Sequence, residues 1–546
     1  MIFEPAARFP VPYTDILSYL FSSPKYNPDK PLYVDVANPS RSISHNQARS
    51  IIRQLIAGLR AWGLKPGDCV AIHSFNDIYY PMLVLAIVGA GGVFTGSNPA
   101  YTTHELAHHF RASEARFVLS EPEIIAPILT AATEVGILEE NVRVFDTQGQ
   151  DVPPGRGSWR ELFKSGEQDW VHFDDEERAK TTAAARLFSS GTTGLPKAVT
   201  ITHHNLVAQQ ELAFEVHTRP FEASRVVAIP LFHAAAAPYT HFGLLKAGHT
   251  LYLMRRFDLP TFLAAFEKWK VTDLTLVPPI AITVLMNKLT HTRPFLKSVR
   301  VATCGAAPLD KDVQARIKRL LGDGAPFTQV WGMTETSCIA TMFPYPEDDN
   351  TGSVGRLIPN VQAKLVNDAN ENVSAFNTRG ELCVRGPTIT PGYYKNPAAN
   401  AESFDSDGWF HTGDIAYCDG ETHKWYIVDR KKELIKVRGF QVAPPELEAV
   451  LLSHPQIVDA AVIGVKDLAG ETELPRAYVV RRPETGAGLT EDEVKEYLAG
   501  RLAKFKALTG GVRFVEAIPK NASGKILKRV LREEAEKEIR SGKAKL

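Results

Sequence analysis

A chain of 546 residues is too long for one hydrophobic core, so two or more domains are expected. Its 44% apolar and 23% charged content is ordinary for a soluble globular protein. Lysine plus arginine balances aspartate plus glutamate at 62 each, which excludes a bulk nucleic-acid or anionic-membrane surface.

In chain order, the N-terminus has no apolar h-region and soon meets Pro10, Pro12 and Asp15, so no secretory signal is expected. The most apolar run, 81–94, is too short and too rich in glycine to span a bilayer; it reads as a buried helix running into a strand. Apolar runs at 69–74, 116–119, 225–229, 250–254, 273–277 and 298–303 alternate with helical patterns, the sign of α/β units. Residues 361–385 change to short strands with turns, a smaller β-subdomain. The five cysteines, Cys69, Cys304, Cys338, Cys383 and Cys418, are scattered without a C-x-x-C, which points to a reducing compartment and no structural zinc.

His104-Glu105-Leu106-Ala107-His108 matches the H-E-x-x-H zinc-protease helix, so a metallohydrolase has to be weighed. Thr102-x-x-Glu105 is, however, a capping box, which puts the motif in the first helical turn and gives Glu105 a structural task. The match is read as chance.

Phe188-Ser189-Ser190-Gly191-Thr192-Thr193-Gly194-Leu195-Pro196-Lys197 combines four hydroxyls, two glycines and a lysine between two strands. Glycines admit backbone N–H groups close to an anion, and the hydroxyls and ammonium add donors, a composition that suits a triphosphate. It is not a Walker A loop, because Pro196 precedes Lys197 and Ala198 follows it. An ordinary Ser/Gly turn has nearly the same composition. Further on, 329–335 sets Trp331, Thr334 and Glu335 on a tight turn, and Asp414 follows Gly413, as a carboxylate accepting from a ribose diol would.

A strand meets a charged run at 427–434, marking a domain boundary; the expected domains are 1–429 and 430–546. Beyond it, a helix at 445–452, strands at 458–465 and 476–480, a capping box at Thr490-x-x-Glu493, a strand at 512–515 and a turn delivering Lys525 describe an α+β unit. Lys504-Phe505-Lys506 lies on a surface turn. The last residues, Ala544-Lys545-Leu546, approach the Ser-Lys-Leu peroxisomal address, so a peroxisomal and otherwise cytoplasmic location is expected.

Taken together, these segments resemble the adenylate-forming superfamily of acyl-CoA synthetases, peptide-synthetase adenylation domains and firefly luciferase. The closest likeness is to the 4-coumarate–CoA ligase branch, and it runs from about residue 40 to 535. It is carried also by Gly305-Ala306-Ala307-Pro308, 380–386, 429–436 and 439–444.

The resemblance implies an α/β fold: a large N-terminal domain of two α/β sheets plus a small β-barrel, with a smaller mobile α+β cap. It implies ATP-dependent activation of a carboxylic acid to acyl-AMP and then to a CoA thioester, using Mg²⁺. Ser189 to Lys197 would cradle the phosphates. Trp331 would stack on adenine against Gly305, Ala306, Ala307 and Pro308, beside Gly332. Thr334 would touch the α-phosphate, Glu335 would hold Mg²⁺, and Asp414 and Arg430 would hold the ribose.

By the same resemblance, Lys525 would reach the substrate carboxylate and α-phosphate. Lys432 matches the hinge, Lys436 and Gln441 lie in the segment that swings between half-reactions, and Gly439 and Phe440 would border the pantetheine tunnel. His233 would line the acyl and thiol site, and Ala235, Tyr239, Thr303, Met333, Cys338 and Ile339 the acid pocket. This pocket departs from the plant enzymes at Ala235, Tyr239 and Thr303; the alanine run 234–237 removes bulk and polar contacts. A substituted aryl acid or a medium-length acyl chain, larger or more apolar than p-coumarate, is expected. Two other readings stand: an adenylation enzyme loading a separate carrier protein, and a luciferase-like oxygenase.

Overall fold

The computed structural model describes residues 1–189, 196–437, 440–466, 472–483, 488–502, 504–521 and 524–540, with backbone only at 238, 440, 441 and 540. Ser190, Gly191, Thr192, Thr193, Gly194, Gly439, Ser523 and the tripeptide 544–546 lie outside the described residues.

Two large sheets form the body. One has eight strands, in the order Gly392–Tyr393, Lys197–Thr202, Ala183–Ser189, Val93–Ser97, Cys69–His73, Ala115–Ser120, Val142–Val144 and Gly157–Ser158. The other has seven: Phe327–Gln329, Val301–Cys304, Asp273–Leu276, Ser224–Val227, Thr250–Leu253, Pro31–Asp35 and Ser42–Ser44. Helices His45–Ala61 and Tyr79–Gly89 contribute to the main core, which takes side chains from both sheets, including Val70, Phe94, Ala185, Tyr33 and Leu251. Tyr79–Gly89 is buried at nearly every position, which is why its sequence is apolar all round rather than on one stripe. Helices Leu259–Trp269 and Lys311–Lys318 bury their apolar faces in a second cluster with the seven-stranded sheet, and Thr103–Ser113 and Ile125–Val135 do so with the eight-stranded sheet.

The segment expected as a small β-barrel contains a four-stranded antiparallel sheet of Gln362–Val366, Gly380–Arg385, Phe410–Cys418 and Trp425–Arg430, with a short pair Thr341–Met342 and Arg356–Leu357 nearby in the same core. The chain leaves that sheet after Arg430 and enters the cap at Ile435–Val437. In the cap, Ile457–Lys466, Glu473–Arg481 and Val512–Phe514 form one sheet, covered by helices Pro444–Leu452, Glu491–Ala499 and Lys528–Arg540.

The body thus matches the α/β reading strand for strand to within a few residues at each end. Both capping boxes form: Thr102 with Glu105, and Thr490 with Glu493. Glu105 bonds Thr102 through both its backbone N–H and its hydroxyl, so it is held at the helix N-terminus and not beside the two motif histidines as a base.

Candidate functional site

Parallel strands leave their side chains and loops converging at the carboxyl ends, and ligand clefts of α/β sheets open there. In this molecule Leu276, Val277, Gly305 and Val330, at the carboxyl ends of three parallel strands, border a cavity of about 800 Å³. The hairpin Ala183–Ser189/Lys197–Thr202 brings Ser189 and Lys197 opposite each other in register at its rim. The four-stranded sheet adds Glu381, Gly413 and Arg430, and the cap adds Lys525.

The stems of the phosphate-loop candidate are clamped from below. His108 Nε2 donates to the Pro196 carbonyl at 2.9 Å, and His109 stacks on Phe188 with ring centroids 3.9 Å apart. Because a carbonyl only accepts, the proton sits on Nε2 of His108. The second histidine of the zinc-protease look-alike is therefore engaged with the backbone just before Lys197.

Lys197 places its ammonium 4.8 Å from the centre of the Tyr393 ring, and Tyr393 donates its hydroxyl to Glu335 Oε1 at 2.9 Å. Glu335 and Thr334 sit in a single 3₁₀ turn, Thr334–Thr336, both buried by the protein and both lining the cavity. Among the described residues Oε2 of Glu335 takes no hydrogen bond. One free carboxylate oxygen beside a hydroxyl fits a hard cation that keeps its remaining positions for phosphate oxygens and water, as Mg²⁺ does.

Gly332 opens this turn. A Cβ there would overlap the Cys338 carbonyl oxygen, so only glycine lets the backbone close on itself. The loop it closes is strained elsewhere: Ser337 has φ 56° and Cys338 φ 115°, and Ala306 across the cavity has φ 70°. Left-handed backbone at non-glycine residues costs about 1–3 kcal/mol each and persists where the surroundings impose it, commonly at ligand sites.

Trp331 donates its indole N–H to Asp414 Oδ2 at 2.8 Å, and its side chain is buried in the core of the four-stranded sheet rather than among the residues that border the cavity. A buried tryptophan must satisfy its N–H, and here it does so by fixing a carboxylate. Arg430 Nε bonds the other oxygen of Asp414 at 2.6 Å. Asp414 itself lies just behind the wall, between Gly413 and Arg430.

Lys525 reaches the cavity from the cap on a turn closed by Asn521, whose side-chain oxygen accepts the Lys525 N–H at 2.8 Å. Gly524 has φ 81° and lies so close to Pro279 that a Cβ would overlap its ring; this seats the cap turn on the body at the start of helix Pro278–Met286. Burial, and then the neighbouring Arg430, pull Lys525 down from 10.5 to about 8, while Asp414, Glu433 and Glu335 favour its charge. A cationic side chain is thus held among acidic groups at the point where body and cap meet.

On the acid side, His233, Ala235, Tyr239, Thr303, Met333, Cys338 and Ile339 all line the same cavity. Burial lowers His233 to about 4, and its Nδ1 accepts the Ala235 N–H at 3.1 Å, so the neutral ring carries its proton on Nε2. Sequence reasoning missed Arg219, Arg225, His217 and His249, which line it too. The one available signal was an arginine inside an otherwise apolar strand, 225–229.

Ala307 and Lys436, like Trp331 and Asp414, are not among the residues that border the cavity. Lys436 is exposed; its backbone N–H donates to Glu473 at 2.8 Å and its carbonyl accepts from Thr472 Oγ1 at 3.0 Å. Phe440 and Gln441 lie on the partner strand Phe440–Val442, and their side chains are outside the described residues. Lys432 lines the cavity mouth and pairs with Glu402 at 3.4 Å.

The comparisons with known proteins are consistent with this geometry. The AMP-binding enzyme family matches residues 20–394, and the AMP-binding enzyme C-terminal domain matches 446–525. The chain belongs to the AMP-binding enzymes. It is 53% identical to the acyl-CoA ligase azaF of Aspergillus niger over 97% of this chain and 100% of that protein. It is 52% identical to the phenylacetyl-CoA ligase epaB of the same species over 99% and 100%. Among solved structures, ATP-bound MatB from Rhodopseudomonas palustris superposes with a TM-score of 0.83 at 29% identity, covering 95% of this chain and 98% of that one. The chain is an AMP-forming acyl-CoA ligase of this family, working through an acyl-adenylate.

Proposed function

We propose that this AMP-binding enzyme activates an aromatic or medium-length carboxylic acid whose body fills the pocket between His233, Tyr239, Thr303 and Cys338. The observation that carries the reading is the Lys525 ammonium, presented by the cap into the cavity that also holds Thr334, Glu335 and the acid-pocket side chains.

A carboxylate is a poor target for a thiol because it is anionic and lacks a leaving group. Its oxygen therefore attacks the α-phosphorus of ATP, the bond to pyrophosphate breaks, and acyl-AMP remains. Negative charge gathers around phosphorus in that step, so preorganised cations and donors stabilise the transition state most. Lys525 and Thr334 serve there, with Lys197 and the hydroxyls of the phosphate loop on the departing pyrophosphate. Glu335 would hold Mg²⁺, which supplies charge neutralisation on the phosphates. Asp414, oriented by Trp331 and Arg430, takes the ribose side.

The thiol of CoA then attacks the acyl carbon and AMP leaves. Buried acyl-AMP is protected from water by the seated cap, as a hydrolysable mixed anhydride requires. The neutral His233 lies where the acyl carbon and thiol meet, and Nε2–H can donate to the carbonyl oxygen.

The test is pyrophosphate release measured across aryl, arylacetic and fatty acids, with CoA and with carrier-bound pantetheine as alternative acceptors. Acid-dependent pyrophosphate and AMP, with thioester formed only when CoA is added, is the expected result. Absence of acid-dependent pyrophosphate with every acid, or thioester on the carrier alone, refutes it.

A further inference from the structure

The acid pocket is apolar near His233 and Ala235 but changes character toward its inner end, where His217, Arg219, Phe221, Arg225, Tyr239 and His249 line it. Arg225 is the second residue of the strand Ser224–Val227 and is in register with Asp273, which begins the adjacent strand. Leu276, at the opposite end of that adjacent strand, borders the cavity beside Gly305, which follows the next strand over. At about 3.3 Å of rise per residue, the three steps from Asp273 to Leu276 separate the two ends by about 10 Å.

The charges at the inner end do not balance. Arg225 Nη2 pairs with Asp273 Oδ2 at 3.0 Å, a cross-strand ion pair that by itself is neutral. Arg219 Nη1 pairs with that same oxygen. Among the described residues no other carboxylate pairs with either guanidinium. Glu222 pairs with Lys30, and Glu215 is set among Glu211, Lys246 and Lys25. His217 and His249 are held neutral by burial, with nearby arginines opposing protonation.

One carboxylate thus serves a buried and a half-buried guanidinium, leaving a surplus positive charge beside the cavity. Each guanidinium carries five donors in a planar fork. Donors of this kind facing a cavity favour a ligand that brings an acceptor, and most of all a charged one. Burial, and then Arg225, pull Arg219 down to about 9.

Resting on the acyl-adenylate reading above, we infer that this end of the pocket is a subsite, centred on Arg219, for an oxygen acceptor that the acid carries at its end away from the reacting carboxylate. A ketone or ester carbonyl and a second carboxylate share this chemistry. Ala234 and Ala235, which line the cavity, leave room for an apolar spacer, and the arginines read its far end.

The test compares three acids of nearly equal shape, 4-isopropyl-, 4-acetyl- and 4-carboxyphenylacetate, by kcat/KM for pyrophosphate release. An oxygen acceptor bonded to a charged donor is expected to raise kcat/KM over the isopropyl acid by about ten-fold or more. In Arg219→Leu the ratio of acceptor acid to isopropyl acid should fall to about one, with thermal unfolding reporting whether the variant is folded. Arg219→Lys keeps the charge and loses the fork, so its ratio should be intermediate; it decides the matter if Arg219→Leu does not fold. Preference for both acceptor acids supports a neutral oxygen as sufficient, and preference for the carboxy acid alone supports an anion subsite. Equal kcat/KM for all three acids in the wild type, or a ratio unchanged in the Arg219 variants, overturns the subsite. If these acids, phenylacetate and octanoate all fail to release pyrophosphate, the acyl-adenylate reading falls first and the subsite with it.

Discussion

In the half of the cleft proposed for the nucleotide, Ser189, Lys197, Thr334, Glu335, Gly413 and Arg430 come from four places in the chain, most of them at or beside the end of a strand. The acid half draws single side chains from 213–249, 275–277, 303 and 333–339, and no two of these stretches share a pattern. The difference follows from what each half recognises. Phosphates demand convergent backbone N–H groups and fixed charges, and only a few tight turns can supply them. An acid body demands a shape, and many combinations of side chains can make one volume. Reshaping such a pocket moves specificity by about 1–3 kcal/mol per methylene, a small and adjustable quantity.

That contrast can be broken at its strongest point by removing the cap-borne cation. Lys525→Ala is expected to cost about 3–4 kcal/mol of adenylation barrier, a loss of some hundred- to thousand-fold in pyrophosphate release. Thioester formation from supplied acyl-AMP should change far less. Equal losses in both half-reactions would take Lys525 out of the nucleotide half.

Gly332 lies on the seam between the halves. Gly332→Ala forces a methyl into the Cys338 carbonyl, and overpacking of this kind costs about 1–3 kcal/mol, read as a lower midpoint in denaturant. Because Cys338 and Ile339 belong to the acid wall, KM for the acid should rise more than KM for ATP. The reverse order would place that loop in the nucleotide half.

The two halves should also separate in pH. Lys525 is lowered to about 8 by burial and Arg430, so its ammonium is complete below that pH and is lost as the pH rises through it. The kcat/KM for pyrophosphate release should then fall about ten-fold per pH unit above 8, since kcat/KM reports groups of the free enzyme. His233 is neutral down to about 4 and adds no limb near neutrality. A flat profile to pH 10 would show that the ammonium is not required.

The smallest expected effect concerns Trp331. Trp331→Phe keeps the buried ring and removes the donor to Asp414, worth about 1 kcal/mol, so KM for ATP should rise about five- to ten-fold with kcat little changed. A large fall in kcat with KM unmoved would show that Trp331 acts by more than holding Asp414.

Most of the body's strands were legible because parallel strands buried on both faces read as apolar runs between turns, and their ends were missed by up to three residues. The bond between Trp331 and Asp414 was not, because an indole's partner lies 83 positions away. Nor did the H-E-x-x-H run reveal that His108 bonds Pro196 and His109 stacks on Phe188; that depends on helix Thr103–Ser113 packing against the hairpin.

Chain order by itself determined the α/β body, since apolar runs between turns rest on local composition and spacing, while the adenylate-forming reading came from a resemblance carried by whole motifs. Only the folded molecule decided that Arg219 and Arg225 meet over one carboxylate at the acid cavity, and that the cap turn bearing Lys525 seats Gly524 against Pro279. Such pairings join residues tens to hundreds of positions apart, and only the packing of sheets and helices brings them within bonding distance.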